Sequence, residues 1–288
     1  MRFPIGVFDS GLGGLSVAAR ILDRLPNERI IYYADTAHVP YGERPLDEIR
    51  GFALEIVGFL AARGAKAVVM ACNMSSAVAL DAARAAFPDI PILGVIEPGA
   101  KAAVAACGGA PIGVLATTGT IRSEAYVRNT ARLDPSVMVI GQACPRFVPL
   151  VESGLADSEE AEEAACTYVA PLLAAGCRTI VLGCTHYPFL RKSIQSAAGL
   201  SVAIVDPAEE TVCALANTLI GRGIASDMLE GSHEFYASGD GSGFATLGSA
   251  FLGRKIDSVR QVDLQDMTTG DMEHDSSGRA RKRPASTG

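Results

Sequence analysis

The stretch AVVMACNMSSA, residues 67–77, places a cysteine at the point where an apolar run ends. A short apolar run followed by polar residues is typical of a strand that helices bury on both faces. Cys72 is then either a small core residue beside a helix cap, or a reactive thiol at the carboxyl end of a strand. The rest of the chain distinguishes these two interpretations.

Apolar runs of strand length alternate with helical stretches along most of the 288 residues. This alternation is typical of βαβ units, and the many Ala, Val, Leu, Ile and Gly residues suit an α/β protein with a buried parallel sheet. We expect strands at 5–11, 29–35, 67–72, 90–96, 111–117, 137–144, 179–184 and 202–206. We expect helices at 15–25, 46–64, 76–86, 98–107 and 158–175 and one from Pro207, with a turn between 117 and 137.

Three landmarks recur in the same order along the chain. The first is IGVFDSGLGG, echoed by IGVLATTGT; the second is a strand that ends on a cysteine; the third is VIEP, echoed by IVDP. The pairs begin at Ile5 and Ile112, at Cys72 and Cys184, and at Val95 and Ile204, which gives offsets of 107, 112 and 109 residues. The near-constant offset indicates two related halves, each of which offers one thiol at the end of a strand.

This repeat predicts the domain organisation. We expect two pseudo-symmetric, doubly wound parallel-sheet domains, with the active site in the cleft between them. Residues 1–96 plus 207–266 would form the first domain and residues 97–206 the second. Residues 267–288 are polar and lack apolar periodicity, which predicts a disordered tail.

Charge and hydropathy limit the classes of partner. The net charge of −7 argues against an extended nucleic-acid surface. The basic cluster of the tail, at 279–283, is expected to be solvated, with contact to nucleic acid or an acidic partner as the alternative.

No apolar stretch reaches about 18 residues, so we expect no membrane span. The start of the chain lacks the apolar segment of a secretion signal, and a cytoplasmic location is expected.

The seven cysteines form no CxxC pair, which argues against a disulfide framework or a zinc ribbon. Five of them stand beside alanines or aliphatic residues and are expected to pack in the core. These five are Cys107, Cys144, Cys166, Cys177 and Cys213. Cys72 and Cys184 differ because polar residues follow them.

No sequence motif indicates a site for a cofactor or a metal ion. The glycines that begin at Gly11 do not complete a G-x-G-x-x-G fingerprint, because Ser16 stands at the third glycine. The chain contains no P-loop, and no motif marks a lysine for pyridoxal phosphate. A zinc site would require folding to assemble His38, Cys72, Cys184 and His186, whose spacing does not suggest it. We therefore expect chemistry without a cofactor and without a metal.

Two thiols related by pseudo-symmetry suit a reaction that inverts a stereocentre. One base removes a proton from one face of a carbon, and the other returns a proton to the opposite face. Asp9 is placed to assist Cys72, and His186 to assist Cys184. Short polar groups and backbone N–H groups at helix starts would bind a carboxylate. The candidates are Ser10, Asn73, Ser75, Ser76, Thr118 and Thr185.

Each of these assignments has a structural alternative. Asp9 and Ser10 also suit a helix cap, and His186 also suits a structural histidine bonded to the backbone. Tyr41 and Gly42 also suit an ordinary turn.

The motifs together resemble one family. GVFDSGLGGLSV, ADTAHVPYGERP, ACNMSSA, GVIEPGA, CPRFVPLVESG, LGCTHYPFL and VDPAEET occur in the order expected of the bacterial glutamate racemases. These belong to the cofactor-independent aspartate/glutamate racemase superfamily. The resemblance runs from about Phe3 to Phe251. It implies interconversion of L- and D-glutamate by two cysteine bases, a supply of D-glutamate for peptidoglycan, and commonly a homodimer.

The resemblance also implies roles for individual residues. Cys72 would act on D-glutamate with the help of Asp9, and Cys184 on L-glutamate with the help of His186. Glu152 would be a further acidic participant. The residues that position the substrate would be Ser10, Pro40, Tyr41, Gly42, Asn73, Thr117 and Thr185.

One position departs from the family pattern. The motif reads Cys-Asn-Thr at the first thiol, and here Met74 replaces the threonine. The loss of a hydroxyl would weaken substrate binding if a polar partner stays unpaired, unless Ser75 or Ser76 supplies one. Two alternatives to a glutamate racemase stay open: an enzyme of the same superfamily acting on another acid such as aspartate, and a non-catalytic carboxylate-binding protein.

Overall fold

The protein contains two parallel β-sheets that helices cover. A computed structural model describes residues 3–228 and 231–264. Within these residues the strands are β1 Ile5–Asp9, β2 Ile30–Ala34, β3 Ala67–Met70, β4 Ile92–Gly94, β5 Ile112–Ala116, β6 Val139–Ala143, β7 Thr179–Gly183, β8 Ala203–Val205, β9 Glu234–Ala237 and β10 Arg260–Gln261.

Helices connect consecutive strands, as parallel pairing requires. They are α1 Leu15–Arg24, α2 Leu46–Ala62, α3 Asn73–Ala86, α4 Ile96–Cys107, α5 Thr118–Arg122, α6 Ala125–Leu133, α7 Phe147–Glu152, α8 Glu159–Ala174, α9 Arg191–Ala198, α10 Pro207–Gly221 and α11 Gly241–Leu252. Two short 3₁₀ helices, Tyr41–Glu43 and Tyr187–Leu190, lie in loops at strand ends.

The strand order of the two sheets reproduces the repeat of the sequence. The first sheet has the order β10-β9-β2-β1-β3-β4 and the second the order β6-β5-β7-β8. The four strands β2-β1-β3-β4 therefore correspond one by one to β6-β5-β7-β8. The register of the strand pairs corresponds as well. In the first sheet Ile5 of β1 pairs with Ile30 and Ala67, and in the second sheet the equivalent Ile112 of β5 pairs with Val139 and Thr179. The predicted α/β fold with two parallel sheets is confirmed.

Burial explains why the central strands are apolar throughout. Every residue of β1, β2 and β3 is buried, because helices cover both faces of the first sheet. One apolar cluster contains residues of both sheets, among them Val7 and Val181, together with Ala100 of α4 and Leu215 of α10. The helices α4 and α10 pack against each other. This shared core brings the two sheets together along one side.

Three parts of the chain differ from the expectation. Residues 118–133 form α5 and α6 instead of a turn, because buried side chains such as Tyr126 stabilise short helices of low propensity. The helix after Cys72 begins at Asn73, three residues earlier than expected. Beyond α10 the chain returns to the first sheet and adds β9, α11 and β10, none of which was predicted.

The prediction that five cysteines pack in the core is wrong for two of them. Cys107, Cys144 and Cys177 are buried, whereas Cys166 and Cys213 are exposed. Both exposed residues lie on the outer faces of helices, α8 and α10. Alanine neighbours are compatible with an exposed helix face because alanine has the highest helix propensity.

The described residues include no helix that is both long enough and apolar enough to cross a bilayer. The first sheet takes its strands from residues 5–94 and 234–261, and the second from residues 112–205. The exact domain boundaries given above stay predictions. The tail 267–288 and its basic cluster lie outside the described residues.

Candidate active site

The carboxyl ends of the strands in both sheets border one cleft of about 270 Å³. This volume is near the lower end of the range for ligand pockets and suits a small substrate. The lining residues come from the loops after β1, β2, β3, β5 and β7 and from α7. They are Ser10, Gly11, Val39, Pro40, Tyr41, Gly42, Cys72, Asn73, Met74, Thr117, Thr120, Val148, Glu152, Gly183, Cys184, Thr185 and His186.

Cys72 stands at the N-cap of α3 with an extended backbone, so its side chain leaves the sheet where the helix begins. Its Sγ lies 3.8 Å from the Ser10 hydroxyl. Burial and then the charge of Asp9 raise the pKa of the thiol to about 12, against the opposing effect of the Ser75 N–H and the hydroxyls of Ser10 and Ser75. At neutral pH Cys72 is therefore a protonated thiol.

Cys184 follows β7 at the equivalent point of the second sheet and has a different set of partners. Its Sγ lies 3.8 Å from Nδ1 of His186. The other ring nitrogen, Nε2, lies 3.1 Å from the Glu152 carboxylate, whose side chain is half exposed. His186 thus bridges a buried thiol and an acid at the mouth of the cleft.

The partners of His186 decide its charge. Burial alone would lower the pKa of the imidazole, but hydrogen bonds with Cys184 and Glu152 and the charges of Cys184 and Asp9 outweigh this effect and raise the pKa to about 10. The ring is therefore positively charged at neutral pH. An imidazolium next to a sulfur is a favourable partner for a thiolate.

Asp9 lies beneath the cleft rather than in its wall. The residue is buried, and its Oδ2 accepts a hydrogen bond from the N–H of Gly11 at 3.0 Å. Burial raises the pKa of Asp9, while the charge of His186 and the N–H groups of the following loop lower it in part. Its field acts on both halves of the site, because it also raises the pKa of Cys72 and of His186.

A buried acid holds the tyrosine of the cleft wall. The hydroxyl of Tyr41 donates to Oδ2 of Asp35, and the Ser238 hydroxyl donates to Oδ1 of the same carboxylate at 2.8 Å. Because Ser238 directly follows β9, the late return of the chain to the first sheet supports a wall of the cleft. Neither Asp35 nor Ser238 was predicted from the sequence as a residue of the site.

The cleft brings together most of the predicted binding residues. The loop Pro40–Gly42, Asn73, Thr117 and Thr185 all line it. Thr117 also caps α5, since its hydroxyl accepts from the Thr120 N–H, and this T-x-x-T spacing is the signal that would have identified Thr120. Gly11, Val39, Val148 and Gly183 line the cleft as well and carried no chemical signal in the sequence.

Three predicted binding residues do not line the cleft. The Ser76 hydroxyl donates to the Met70 carbonyl and accepts from the Val95 N–H, so it joins β3 to the segment after β4. Ser75 is buried beside Cys72. Thr118 is exposed at the start of α5. Of these three, only Ser75 affects the chemistry of a thiol.

The repeat makes the asymmetry of the site explicit. Aligned on the strands, Cys72 corresponds to Cys184, and Asp9 corresponds to Ala116. Two residues after the thiols, Met74 corresponds to His186. Each half therefore contributes one ionisable residue beside its thiol, Asp9 in the first half and His186 in the second, but the two residues stand at different positions relative to their thiols.

Met74 is buried in the cleft wall and packs with Tyr41, Ile49 and Cys72. Its sulfur extends toward α5, where a Cβ added to Gly119 would lie 3.0 Å from Sδ. An apolar thioether thus closes the wall between the two halves. In the part of the chain that the structure describes, no three histidine, cysteine or carboxylate side chains converge as metal ligands.

Comparisons with known proteins agree with this geometry. The family model described as Asp/Glu/Hydantoin racemase matches residues 5–215. The chain is 45% identical over 262 residues to a glutamate racemase of Geobacter metallireducens, covering 91% of this chain and 97% of that protein. The crystal structure of the glutamate racemase isoform RacE1 from Bacillus anthracis superposes with a TM-score of 0.87 at 40% identity, covering 91% of this chain and 98% of that one. The crystal structure of a Francisella tularensis glutamate racemase in complex with D-glutamate superposes with a TM-score of 0.86 at 32% identity, covering 92% of this chain and 99% of that one.

Proposed function

Because the chain belongs to the Asp/Glu/hydantoin racemase family, we propose that it interconverts L- and D-glutamate in the cleft between its two sheets. The observation that carries the proposal is the pair of buried thiols, Cys72 and Cys184, at equivalent strand ends of one cleft. A binding protein for carboxylates has no need of two opposed thiols with charged helpers.

The reaction needs one thiolate and one thiol at a time. With L-glutamate bound, the Cys184 thiolate removes the α-proton, and the C–H electron pair moves onto Cα and into the adjacent carboxylate. The Cys72 thiol then donates its proton to the opposite face of Cα. The product is D-glutamate, and the charge has moved from one sulfur to the other. Starting from D-glutamate, the same steps run in reverse.

The electrostatics of the free enzyme support the first of these directions. His186 is positively charged beside Cys184, and Cys72 holds its proton. For the reverse direction Cys72 must ionise. The α-ammonium group of a bound amino acid offsets part of that cost, because a nearby positive charge favours a thiolate.

The carboxylates of the substrate need hydrogen-bond donors. We assign this role to the hydroxyls of Ser10, Thr117 and Thr185, the Asn73 amide and the backbone N–H groups of Tyr41 and Gly42. Pro40 shapes the same loop. The charge of Asp9 raises the pKa of Cys72 and so keeps this thiol protonated for donation to Cα in the L-to-D direction, and Glu152 assists Cys184 through His186. No metal and no cofactor enters any of these steps.

In the cell we propose that this activity supplies D-glutamate for peptidoglycan in the cytoplasm, and that the chain works as a homodimer. Of these three points, the first and the third are implied by the resemblance to the glutamate racemases, and the second is the location expected in the sequence analysis above. The size-exclusion profile of the purified chain tests the third.

The test is proton exchange in D₂O with each enantiomer of glutamate. We expect optical rotation to fall to zero while the α-proton NMR signal is lost and deuterium appears at Cα. Cys72→Ser and Cys184→Ser should each lower turnover by about 10²–10⁴-fold, the usual contribution of a general base. Cys213→Ser, an exposed thiol, is the matched control and should leave turnover unchanged.

The substrate and the mechanism fail in different ways. Absence of exchange with both enantiomers of glutamate in the unmodified enzyme contradicts the substrate, and exchange with aspartate would then assign the other acid. Full turnover in either cysteine variant contradicts the two-thiol mechanism. Unchanged glutamate affinity together with no exchange in any variant would identify a binding protein.

A further inference from the structure

Two hydrogen bonds join the two halves of the molecule. The acceptor of each bond belongs to the residue that directly follows one of the two thiols. The hydroxyl of Tyr126, on α6, donates to Oδ1 of Asn73 at 2.8 Å. The hydroxyl of Ser16, on α1, donates to the Thr185 carbonyl at 3.0 Å. Asn73 and Thr185 hold equivalent positions in the repeat, so the two contacts are reciprocal.

The first contact decides how the Asn73 amide is oriented. A carboxamide whose oxygen is held by a phenol presents its NH₂ group in another direction. Asn73 lines the cleft, and within residues 3–228 and 231–264 no protein group accepts a hydrogen bond from its Nδ2. Its N–H groups are therefore free to donate to a substrate oxygen. Burial raises the pKa of Tyr126, so the phenol keeps its proton and remains a donor.

The second contact fixes the segment between Cys184 and His186. The start of α1 lies against this segment without free space, since a Cβ added to Gly13 would lie 2.2 Å from Oγ1 of Thr185. Close packing sets the distance between the two halves. The hydrogen bond from the Ser16 hydroxyl also fixes the orientation of the Thr185 carbonyl, which lies between Cys184 and His186.

We propose that Tyr126 and Ser16 are positioning residues by which each half of the molecule orders the surroundings of the other half's thiol. Tyr126 keeps the Asn73 amide in the orientation that donates into the cleft beside Cys72. Ser16 holds the backbone on which Cys184 and His186 stand. The inference rests on the proposed racemisation and adds two residues that act without touching the substrate.

The test compares Tyr126→Phe and Ser16→Ala with the unmodified enzyme. Each variant removes one hydroxyl and keeps most of the packing. We expect kcat/KM to fall about tenfold in each, since small misplacements of reacting groups are costly. A slowed proton transfer becomes more rate-limiting, and the primary isotope effect on that step then rises. The effect with α-deuterated L-glutamate, which reports on Cys184, should therefore rise in S16A, and the effect with α-deuterated D-glutamate, which reports on Cys72, should rise in Y126F. For either substrate the two variants should shift the isotope effect in opposite senses.

Matched controls separate positioning from folding. Tyr168→Phe removes a buried tyrosine hydroxyl of α8, and Ser249→Ala removes a serine hydroxyl that donates to the Ala245 carbonyl; both lie outside the cleft. These controls should leave the isotope effects unchanged even where the melting temperature falls. Isotope effects in Y126F and S16A that do not change, or that shift in the same sense, would overturn the inference.

A measurement without substrate keeps the inference independent of the proposed reaction. In ¹H–¹⁵N spectra of the full chain, the side-chain amide signals of Asn73 should shift and exchange faster with water in Y126F than in the unmodified enzyme. Unchanged Asn73 signals contradict the orienting role of Tyr126 even if glutamate is not the substrate. Failure of the unmodified enzyme to exchange the α-proton of glutamate would contradict the proposed function alone.

Discussion

At the scale of single residues, Met74 is the position where this chain departs from the family pattern it resembles. Its thioether fills the cleft wall beside Cys72 and offers no donor to a substrate. We expect Met74→Thr to lower KM for glutamate about fivefold, because one net hydrogen bond contributes about 1 kcal/mol. Steady-state kinetics with both enantiomers measure this change.

The control for this prediction is Met74→Leu, which keeps an apolar side chain of similar volume and should change KM little. The threonine variant also leaves unfilled volume next to Tyr41 and Ile49. We therefore expect its melting temperature to fall while its affinity rises. A KM that rises in M74T would mean that packing by the thioether matters more to the cleft than a hydroxyl does.

The protonation of Cys72 in the free enzyme makes a second prediction at this scale. Because the pKa of this thiol is raised to about 12, the logarithm of its alkylation rate by iodoacetamide should climb with pH from 7 to 10 without a plateau. The exposed thiols Cys166 and Cys213 serve as internal references in the same digest. Peptide mass spectrometry follows each site. A plateau for Cys72 below pH 9 would contradict the raised pKa.

At the scale of elements, the loop between β1 and α1 is fitted against the second thiol. A Cβ added to Gly13 would lie 2.2 Å from Oγ1 of Thr185 and 2.5 Å from Nδ1 of His186. We expect Gly13→Ala to lower kcat/KM by about 10²-fold or more, because it displaces the histidine or separates the two halves. Kinetics with L- and D-glutamate measure the loss.

Gly51→Ala is the matched control for this prediction. An added Cβ at Gly51 meets no atom within 4 Å, and the residue lies inside α2. This substitution should raise stability by about 0.5–1 kcal/mol and leave kcat/KM unchanged. Full activity of G13A would show that the two halves can separate there without cost to the chemistry.

Much of the element pattern was predictable because strand ends carry their own signal. An apolar run buried on both faces and ending on a polar residue identified β1, β3, β5 and β7 and the residues that follow them. The elements after α10 were not predictable in the same way. Strand β9 has four residues and pairs with β2, about 200 residues away in the sequence, and β10 has two residues and pairs with β9.

At the scale of the whole molecule, the repeat made the site partly predictable. It indicated two thiols in one cleft, since equivalent strand ends of facing sheets meet there. It gave no indication of the contacts that join the halves. Tyr126 and Asn73 are 53 residues apart, and Ser16 and Thr185 are 169 apart. Such pairs depend on how the two sheets dock, and no local spacing records that.

The amino ends of the strands, opposite the cleft, hold a buried ion pair that ties the returning chain to the first sheet. Lys66 Nζ lies 2.6 Å from the Glu28 carboxylate, and both side chains are buried. The same ammonium donates to the Ile224 carbonyl and the Ser226 hydroxyl, and the Ser226 N–H donates to Glu28 at 2.8 Å. The pair thereby fastens the segment after α10 beneath β2 and β3.

We expect Lys66→Met to lower the free energy of unfolding by about 3–5 kcal/mol, because it leaves a buried carboxylate without its cation. The double variant Glu28→Leu, Lys66→Met should recover much of this loss, since it removes both charges together. Below its melting temperature K66M should keep the kcat/KM of the unmodified enzyme, because the cleft lies at the other end of the strands. Thermal melting and kinetics on the same samples measure the two effects. A parallel loss of activity in folded K66M would mean that the return of the chain, through Ser238 and Asp35, controls the cleft wall more directly than the geometry indicates.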